Sequence, residues 1–309
     1  MSINVLKNGL QTTVQDLGRN GYAHFGISAS GAADALSLRI GNLLVGNPGG
    51  SAGLELTMLG GTYLFNAEAF ITISGSLFEA TIDGKAFPHQ EGVYIHAGQT
   101  LAVGPTMSGA RCYLCVRGGI DVPVHLSSKT THVVSGIGGH KGRSIQKGDM
   151  LNIGNMNDVS QPILLKEKLY IDTSIMRITS GLQSDWFSDD TWSQFTSKPF
   201  TVSELSNRMG IRLEGKPIHS SKGNEILTEG IPLGAVQLPG NGQPIISFVE
   251  HQTTGGYPKI ANVITADLCK VGQLKPGDRF TFQQVTIEEA ETLRLKQESY
   301  VQKLKNAHD

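Results

Sequence analysis

The sequence lacks the residues that would form a disulfide framework, large aromatic clusters or a membrane span. Three of its 309 residues are cysteine, and 6% are aromatic. An odd, small number of cysteines does not make a disulfide-stabilised fold. No apolar run approaches the roughly 20 residues that a membrane helix needs, and residues 1–16 contain no apolar core of a signal peptide. We therefore expect a soluble, cytoplasmic protein that does not associate with membranes.

An excess of charge of either sign is also missing. Lys and Arg total 26, Asp and Glu total 27, and the formal net charge is −1 at pH 7. This balance provides neither the basic surface of a nucleic-acid-binding protein nor an acidic solvating tail. A hydrophobic content of 39% is sufficient for well-packed cores. We expect a small-molecule substrate rather than a nucleic acid, and the length suggests two domains.

Glycine, by contrast, is abundant, with 38 residues spread along the chain. Short apolar runs that recur about every ten residues, with glycine at the joints, are typical of strands connected by tight turns. We therefore predict a mostly-β fold. The predicted strands of the first half cover residues 3–6, 54–58, 62–65, 70–74, 79–82, 92–96, 100–103 and 111–117.

One short pattern occurs three times, at residues 95–103, 145–153 and 274–282. Each copy has an apolar residue, two spacers, a glycine with a polar residue, and then alternating apolar residues. This pattern predicts a turn that enters a strand with one buried face. Two copies share Gly-Asp and lie in different halves of the chain, which suggests two related β modules.

Helical patterns interrupt the strands at two places. Apolar residues between residues 30 and 47 share one helical face. Ser30 and Asp34 lie near its start, where a cap oxygen or a carboxylate stabilises the first N–H groups, and Ser30 is the expected cap. Thr286 and Glu289 form a capping box that starts a C-terminal helix. The predicted domains are therefore an N-terminal β module over residues 1–155, a linker, a C-terminal β module over residues 169–285 and a helix over residues 286–309.

Polar residues that could bind a ligand are concentrated near the N-terminus. Asp16 and Arg19 could form a turn salt bridge, which is the structural interpretation. Arg19 could instead bind a carboxylate or carbamate through two parallel hydrogen bonds. Gln15 precedes this pair, and Ser30 and Asp34 lie near the start of the first predicted helix. These five residues form the N-terminal set of candidate substrate-binding residues.

A second candidate set contains Arg208 and Arg212. The two arginines are four residues apart in a strand-like run, so we predict that they share one face of a strand. Two guanidinium groups on one face repel each other unless an anion lies between them. An acidic side chain of the protein is the structural interpretation, and a carboxylate ligand is the functional one.

The loop after residue 252 contains more hydrogen-bond donors than a turn requires. A buried turn needs glycine where φ is positive, but it does not need two hydroxyls and a phenol. Donors without a base beside them suit the binding of a carboxylate or an oxyanion and do not suit nucleophilic attack. The candidate residues of this loop are Thr253, Thr254, Gly255, Gly256 and Tyr257.

Three other patterns are interpreted as structural. Cys112 and Cys115 are expected to be buried thiols on opposite faces of one strand. The glycine-rich residues 136–142 match no phosphate-loop spacing and are interpreted as a glycine turn, with anion binding by Lys141 and Arg143 as the alternative. His251 is singled out because it precedes the candidate loop, and its structural interpretation is an ordinary turn histidine. No second group of Cys or His follows the cysteine pair at zinc spacing, so we expect no metal site.

Several segments taken together resemble one known family. In chain order they are TVQDLGRNGYAHFGISASGAADALSLRIGNLLVGN, LCVRGGIDVP, GGHKGRSIQKGD, SNRMGIRLEG, TTGGYPKIANVITADL and GQLKPGD. They resemble the allophanate hydrolase subunit 2 family, also called the carboxyltransferase C/D-type subunit, over nearly the whole chain. The resemblance implies two cyclophilin-like β-barrel modules with a few helices.

The resemblance also implies a role inside a larger assembly. Members of the family include subunits of ATP-dependent 5-oxoprolinases, which hydrolyse 5-oxo-L-proline to L-glutamate. In that assembly one partner would be a B subunit of the allophanate hydrolase subunit 1 or KipI-like type, which shares a composite substrate cleft. The other partner would be the lactam-utilisation protein, which is the A subunit. We expect little turnover from the isolated chain.

Two alternatives remain open at this level. The first is a KipA-type regulatory protein that binds and antagonises a KipI-like kinase inhibitor. The second is the carboxyltransferase component of a biotin-dependent urea carboxylase. Because the sequence contains no biotinyl-lysine segment and no ATP-grasp portion, we expect this chain to bind no cofactor by itself. ATP would be used by the complex, and biotin would be used only in the second alternative.

Overall fold

The computed structural model, which describes residues 1–155 and 159–305, confirms a mostly-β chain. The chain divides into two compact units. Unit 1 contains Met1–Arg19, Ser30–Ile171 and the chain from Ser299 onward, and unit 2 contains Asn20–Ala29 and Asp172–Glu298. Within the described residues, no helix combines the length and the apolar character needed to cross a membrane.

Unit 1 is built from strands and the helix α1 (Ala35–Leu44), and it also contains the last residues of the C-terminal helix. Its strands are β1 (Ser2–Lys7), β2 (Gln11–Gln15), β3 (Gly53–Thr57), β4 (Thr62–Phe65), β5 (Ala69–Gly75), β6 (Phe78–Ile82), β7 (Lys85–Ala86), β8 (Val93–Ile95), β9 (Thr100–Thr106), β10 (Arg111–Val116), β11 (Ile120–Asp121) and β12 (Met150–Ile153). They form one antiparallel sheet in the order β11-β12-β1-β4-β9-β6-β7 and another in the order β2-β3-β10-β5-β8.

The core of unit 1 lies between these two sheets, and strand β10 shows how it is filled. All six residues of β10 are buried. Cys112 and Leu114 pack in the core between the sheets, whereas Tyr113 and Cys115 pack with Leu38 of helix α1. Alternation along a strand sends successive side chains to opposite faces. The prediction that the two cysteines are buried on opposite faces is therefore confirmed.

Unit 2 is built around a closed barrel. Its strands are β13 (Ile175–Ser180), β14 (Phe200–Val202), β15 (Gly210–Glu214), β16 (Glu229–Gly230), β17 (Ala235–Gln237), β18 (Ile245–Ser247), β19 (Thr254–Gly255), β20 (Lys259–Val263) and β21 (Arg279–Gln284). The barrel order is β13-β20-β17-β18-β15-β14-β21, and it closes through the parallel pair of β13 and β21. Strands β16 and β19 form a separate two-stranded sheet.

Three further helices belong to the second half of the chain: α2 (Asp189–Ser197), α3 (Leu268–Gln273) and α4 (Ile287–Lys305). Helix α2 contributes Phe195 to an aromatic cluster, in which its ring stacks on Phe282 at 4.6 Å between centroids. The capping box of α4 is confirmed, because the Thr286 N–H donates to Glu289 at 2.8 Å and the Glu289 N–H donates to Thr286 Oγ1 at 3.1 Å. Residues 306–309 of the predicted C-terminal helix lie outside the described residues.

The repeated turn pattern is also confirmed. Gly98, Gly148 and Gly277 have φ angles of 86°, 88° and 87°, and strands β9, β12 and β21 begin two residues after them. A residue with a Cβ rarely adopts this left-handed conformation. A turn with glycine in the left-handed conformation therefore precedes a strand in both units.

The prediction that Ser30 caps the first helix is wrong. Helix α1 begins at Ala35, and the Asp34 carboxylate accepts a hydrogen bond from the Ser37 N–H at 2.9 Å. Ser30 itself has a φ of 55°, and its hydroxyl donates to the Thr131 carbonyl at 3.0 Å. A carboxylate that accepts from the first-turn N–H groups stabilises a helix start, and here Asp34 occupies that position.

Helix α1 packs so closely on its sheet that Gly41→Ala should destabilise the protein. A Cβ on Gly41 would lie 2.8 Å from Cys115 Sγ and closer still to Ser74 Oγ. Helix propensity alone predicts a gain of about 1 kcal/mol for this change, whereas overpacking costs about 1–3 kcal/mol. We expect a net decrease in the denaturant midpoint. Gly49→Ala is the control, because a Cβ there has ordinary contacts near 3.8 Å, and a stabilised Gly41→Ala variant would contradict the packing argument.

Candidate functional site

Unit 2 contains a polar cavity of about 430 Å³. Its lining includes the turn before strand β15, residues of β15, β17 and β18, and the loop over residues 251–257. Apolar wall is contributed by Met209, Ile231 and Ile245. The polar residues that line it are Asn207, Arg212, Gln237, His251, Gln252 and Tyr257, together with Gly255 and Gly256.

Strand β15 places Arg212 at the cavity by simple alternation. Ile211 and Leu213 are 2% and 1% exposed and face the barrel core, so Gly210 and Arg212 face outward. Gly210 pairs with Ser247 of β18, and a Cβ on it would lie 2.9 Å from Ile245 Cγ2. The cavity therefore lies on the outer face of the barrel, where glycine leaves room beside the guanidinium.

The two arginines of this segment have different roles. Arg208 precedes the strand, is 4% exposed, and places Nε 2.5 Å from Glu250 Oε1, which is itself buried. The prediction that Arg208 and Arg212 share a strand face is wrong, because β15 begins at Gly210. Among the residues that the structure describes, no carboxylate pairs with Arg212. The protein thus neutralises Arg208 with its own acid, and Arg212 remains as the cation of the cavity.

Neighbouring hydrogen bonds fix the orientation of the side-chain amides of Asn207 and Gln237 in the lining. Gln237 Nε2 donates to Ser247 Oγ at 3.0 Å, which leaves Gln237 Oε1 as an acceptor. Asn207 Oδ1 accepts from the Met209 N–H at 2.8 Å, which leaves Asn207 Nδ2 as a donor. A side-chain amide has one acceptor atom and one donor atom. The cavity therefore presents a defined pattern of donors and acceptors.

His251 adds a nitrogen acceptor to this pattern. Its Nδ1 lies 2.7 Å from the Gln252 carbonyl oxygen, and a carbonyl can only accept, so Nδ1 carries the proton. In a neutral imidazole the other nitrogen, Nε2, is then the acceptor. Burial lowers the pKa of His251 below its ordinary value, and the hydrogen bond to Gln252 opposes this shift with a smaller effect. The interpretation of His251 as an ordinary turn residue did not anticipate its position in the cavity lining.

The loop that supplied five candidate residues contributes three of them to the lining, namely Gly255, Gly256 and Tyr257. Thr253 and Thr254 are not among the described lining residues. Their backbone holds the loop instead: Thr254 pairs with Gly230 across β19 and β16, and the Thr253 carbonyl accepts from the Ile231 N–H at 3.0 Å.

The N-terminal candidates lie in unit 1, where they converge on a short backbone segment. Gln15 Nε2 and Ser30 Oγ donate to the Thr131 carbonyl at 3.1 and 3.0 Å. The buried Arg19 donates to the Thr130 carbonyl at 2.6 Å. These bonds satisfy backbone oxygens that would otherwise be buried without partners. The three side chains therefore stabilise buried backbone of unit 1, and substrate binding by them stays a prediction.

The two acidic candidates of unit 1 also have partners in the protein. Asp16 accepts from Ser128 Oγ at 2.7 Å and from the Lys129 N–H at 2.6 Å. Asp34 accepts from the backbone and the hydroxyl of Ser37 at 2.9 and 2.6 Å. Both carboxylates are thus engaged within unit 1.

Four polar residues of the cavity lining were not among the candidate residues predicted from the sequence: Asn207, Gln237, His251 and Gln252. Asn207 lies in the SNRMG segment beside Arg208, so the local pattern could have indicated it. Gln237 has no local signal, because the pairing of β17 with β18 brings it to the cavity. His251 is adjacent to the loop that was singled out, but its protonation state depends on a hydrogen bond that the sequence does not display.

The chain is mostly β, and unit 2 has a polar cavity on the outer face of its barrel. The sequence profile of the carboxyltransferase domain, subdomain A and B, matches residues 25–284. The chain belongs to this family.

The relatives of this chain include proteins named as C subunits of 5-oxoprolinase and a urea amidolyase. The chain is 38% identical to the C subunit of 5-oxoprolinase from Escherichia coli (strain K12), over 98% of this chain and 97% of that protein. It is 35% identical to the C subunit of 5-oxoprolinase from Haemophilus influenzae, over 99% of each chain. It is also similar to the crystal structure of the K. lactis urea amidolyase, with a TM-score of 0.92 and 31% identity over 98% of this chain. The matched region is 20% of that larger protein.

Substitution of the two arginines should separate a structural role from a ligand-binding role. Arg208→Ala leaves the Glu250 carboxylate buried without its ion-pair partner, which typically costs about 3–5 kcal/mol. Arg212→Ala removes an exposed side chain, so we expect a change within about 0.5 kcal/mol. Urea denaturation of both variants measures the difference. If Arg208→Ala and Arg212→Ala lowered the free energy of unfolding equally, Arg212 would have a structural role and would not be available to bind a ligand.

His251 should be found by NMR in the neutral form with its proton on Nδ1. Long-range ¹H–¹⁵N spectra distinguish the two imidazole nitrogens, and the His251→Gln variant assigns the signals. Because burial disfavours the charged ring, titration should give a midpoint below the ordinary value of about 6.5. As the pH falls below about 6.5, His251 of the unfolded chain takes up a proton before His251 of the folded chain does. The free energy of unfolding therefore decreases from about pH 6.5 down to the lower pKa of the folded chain. A protonated Nε2 at pH 7 would contradict the geometry.

Proposed function

We propose that this chain is the C subunit of an ATP-dependent 5-oxoprolinase complex, which hydrolyses 5-oxo-L-proline to L-glutamate. The observation that carries the proposal is the cavity of unit 2, in which Arg212 has no carboxylate partner among the described residues and lies with oriented hydrogen-bonding groups. The end-to-end similarity to proteins named as C subunits of 5-oxoprolinase supports the same function.

The cavity matches the chemical groups of 5-oxoproline. Its volume of about 430 Å³ falls in the range of about 300–1,000 Å³ that is usual for small-molecule sites. Arg212 would bind the substrate carboxylate through two parallel hydrogen bonds. Asn207 Nδ2 and the Tyr257 hydroxyl would donate to the amide oxygen, where negative charge develops when the ring is opened.

These residues would orient and polarise the substrate, and the rest of the reaction would need the partner subunits. A B subunit of the allophanate hydrolase subunit 1 or KipI-like type would complete the substrate cleft. The lactam-utilisation A subunit would be the third component, and ATP would be consumed by the complex. Precise positioning by a single chain can still contribute strongly to the rate, because it removes the entropic cost of aligning the reacting groups.

A second candidate function is the carboxyltransferase step of a biotin-dependent urea carboxylase. The similarity to the K. lactis urea amidolyase, at a TM-score of 0.92, favours it. Urea and carbamate present the same kinds of donors and acceptors as a lactam, so the cavity could hold them as well. In that function the biotin would be carried by a separate chain.

A reconstituted complex tests the first function directly. The assay measures glutamate release and ATP hydrolysis that depend on 5-oxoproline, with this chain and its two partner subunits each omitted in turn. Loss of a charged hydrogen-bond partner costs about 1.5–3 kcal/mol, so Arg212→Ala should lower kcat/KM by about 10- to 100-fold. Arg212→Lys should retain part of the activity, because lysine keeps the positive charge but cannot form two parallel hydrogen bonds to a carboxylate.

Arg279→Ala is the matched control, because Arg279 is exposed on β21 of the same barrel and is not among the described lining residues. Wild-type activity of Arg212→Ala would place the substrate elsewhere. If the three chains bind one another and glutamate never forms, the oxoprolinase function is wrong, and a biotin-linked or regulatory role should be tested with the same preparation.

A further inference from the structure

The cavity contains acceptors that a simple carboxylate site would not need. His251 Nε2 and Gln237 Oε1 both present lone pairs, and both belong to the same lining as Arg212. A lone pair that faces a carboxylate or a carbonyl oxygen is repulsive, and an acceptor that a ligand covers without supplying a donor is costly. A ligand that satisfies this cavity therefore contributes a hydrogen-bond donor, such as an N–H, as well as an anionic group.

The orientation of the imidazole is fixed by the protein before a ligand binds. The bond of 2.7 Å between Nδ1 and the Gln252 carbonyl would be lost if the ring were turned over. In the part of the chain that the structure describes, Nε2 makes no hydrogen bond of its own. The neutral form, favoured by burial, keeps the lone pair available near neutral pH.

We propose that His251 is a specificity-determining residue, whose Nε2 accepts a hydrogen bond from the amide N–H of a cyclic amide that carries a carboxylate. This inference rests on the proposed function and extends it by assigning the recognition of the ring nitrogen. Arg212 holds the carboxylate, and His251 distinguishes an amide N–H from other atoms at the same position of the ring.

The discrimination has a simple physical origin. The γ-lactone analogue of 5-oxoproline has the same ring and carboxylate, but an oxygen replaces the N–H. Its ring oxygen would direct a lone pair at the lone pair of Nε2. A site built to hydrogen-bond an N–H strongly rejects an analogue that lacks it, because the polar group of the site is left unpaired. We expect the lactam to be preferred over the lactone by about 10-fold or more.

The experiment compares the two ligands in the reconstituted complex and on the chain itself. In the complex, KM for 5-oxoproline is compared with the inhibition constant of the lactone. On the chain, NMR titration with each compound gives two dissociation constants. The variants are His251→Leu, which has no acceptor, and His251→Gln, whose side-chain oxygen can reach the position of Nε2. Arg212→Ala is the internal control, because it should weaken both ligands equally and leave their ratio unchanged.

The expected result is a lactam preference in the wild-type chain that disappears in His251→Leu and is partly kept in His251→Gln. Equal affinity of the wild type for both compounds, or an unchanged preference in His251→Leu, would overturn the role of His251 even if the complex forms glutamate. A complex without turnover overturns the proposed function. If the complex shows no turnover and the chain binds neither the lactam nor the lactone, the proposed role of His251 is wrong as well.

Discussion

The buried ion pair between Arg208 and Glu250 is the interaction on which the cavity depends. Two charges removed from water are expensive unless they meet each other with good geometry. Here the side chains meet at 2.5 Å, and the Glu250 N–H also donates to the Arg208 carbonyl at 2.8 Å. The chain neighbours of this pair are Asn207 and His251, which both line the cavity. This buried ion pair thus fixes the chain positions next to Asn207 and His251, two polar residues of the candidate site.

The position at which strand β15 begins separates an arginine that the protein neutralises from the arginine that is proposed to bind a ligand. Because the strand starts at Gly210, alternation sends Ile211 into the barrel and Arg212 outward. Arg208 lies before the strand and is buried with its acid. Two arginines in one short segment therefore experience different environments, and their chemistry follows from solvation and partners rather than from residue type.

Unit 1 uses its polar residues in a different way. Gln15, Arg19 and Ser30 converge on the carbonyl oxygens of Thr130 and Thr131, where buried backbone would otherwise lack donors. Polar segments that resemble binding motifs in sequence are here occupied by the protein's own backbone. The same residue types that could bind a carboxylate ligand also suit a buried carbonyl, because both are oxygen acceptors.

The sequence by itself determined the mostly-β class, the turns at Gly98, Gly148 and Gly277, and the opposite faces of Cys112 and Cys115. These features depend on local backbone geometry and on strand alternation, which neighbouring residues dictate. Tertiary structure alone decided that Ser30 bonds to the Thr131 carbonyl instead of capping α1, which arginine is neutralised, and which nitrogen of His251 carries the proton. Each of these depends on a partner distant in sequence or on a local bond set by the folded loop, and the sequence pattern does not specify such partners.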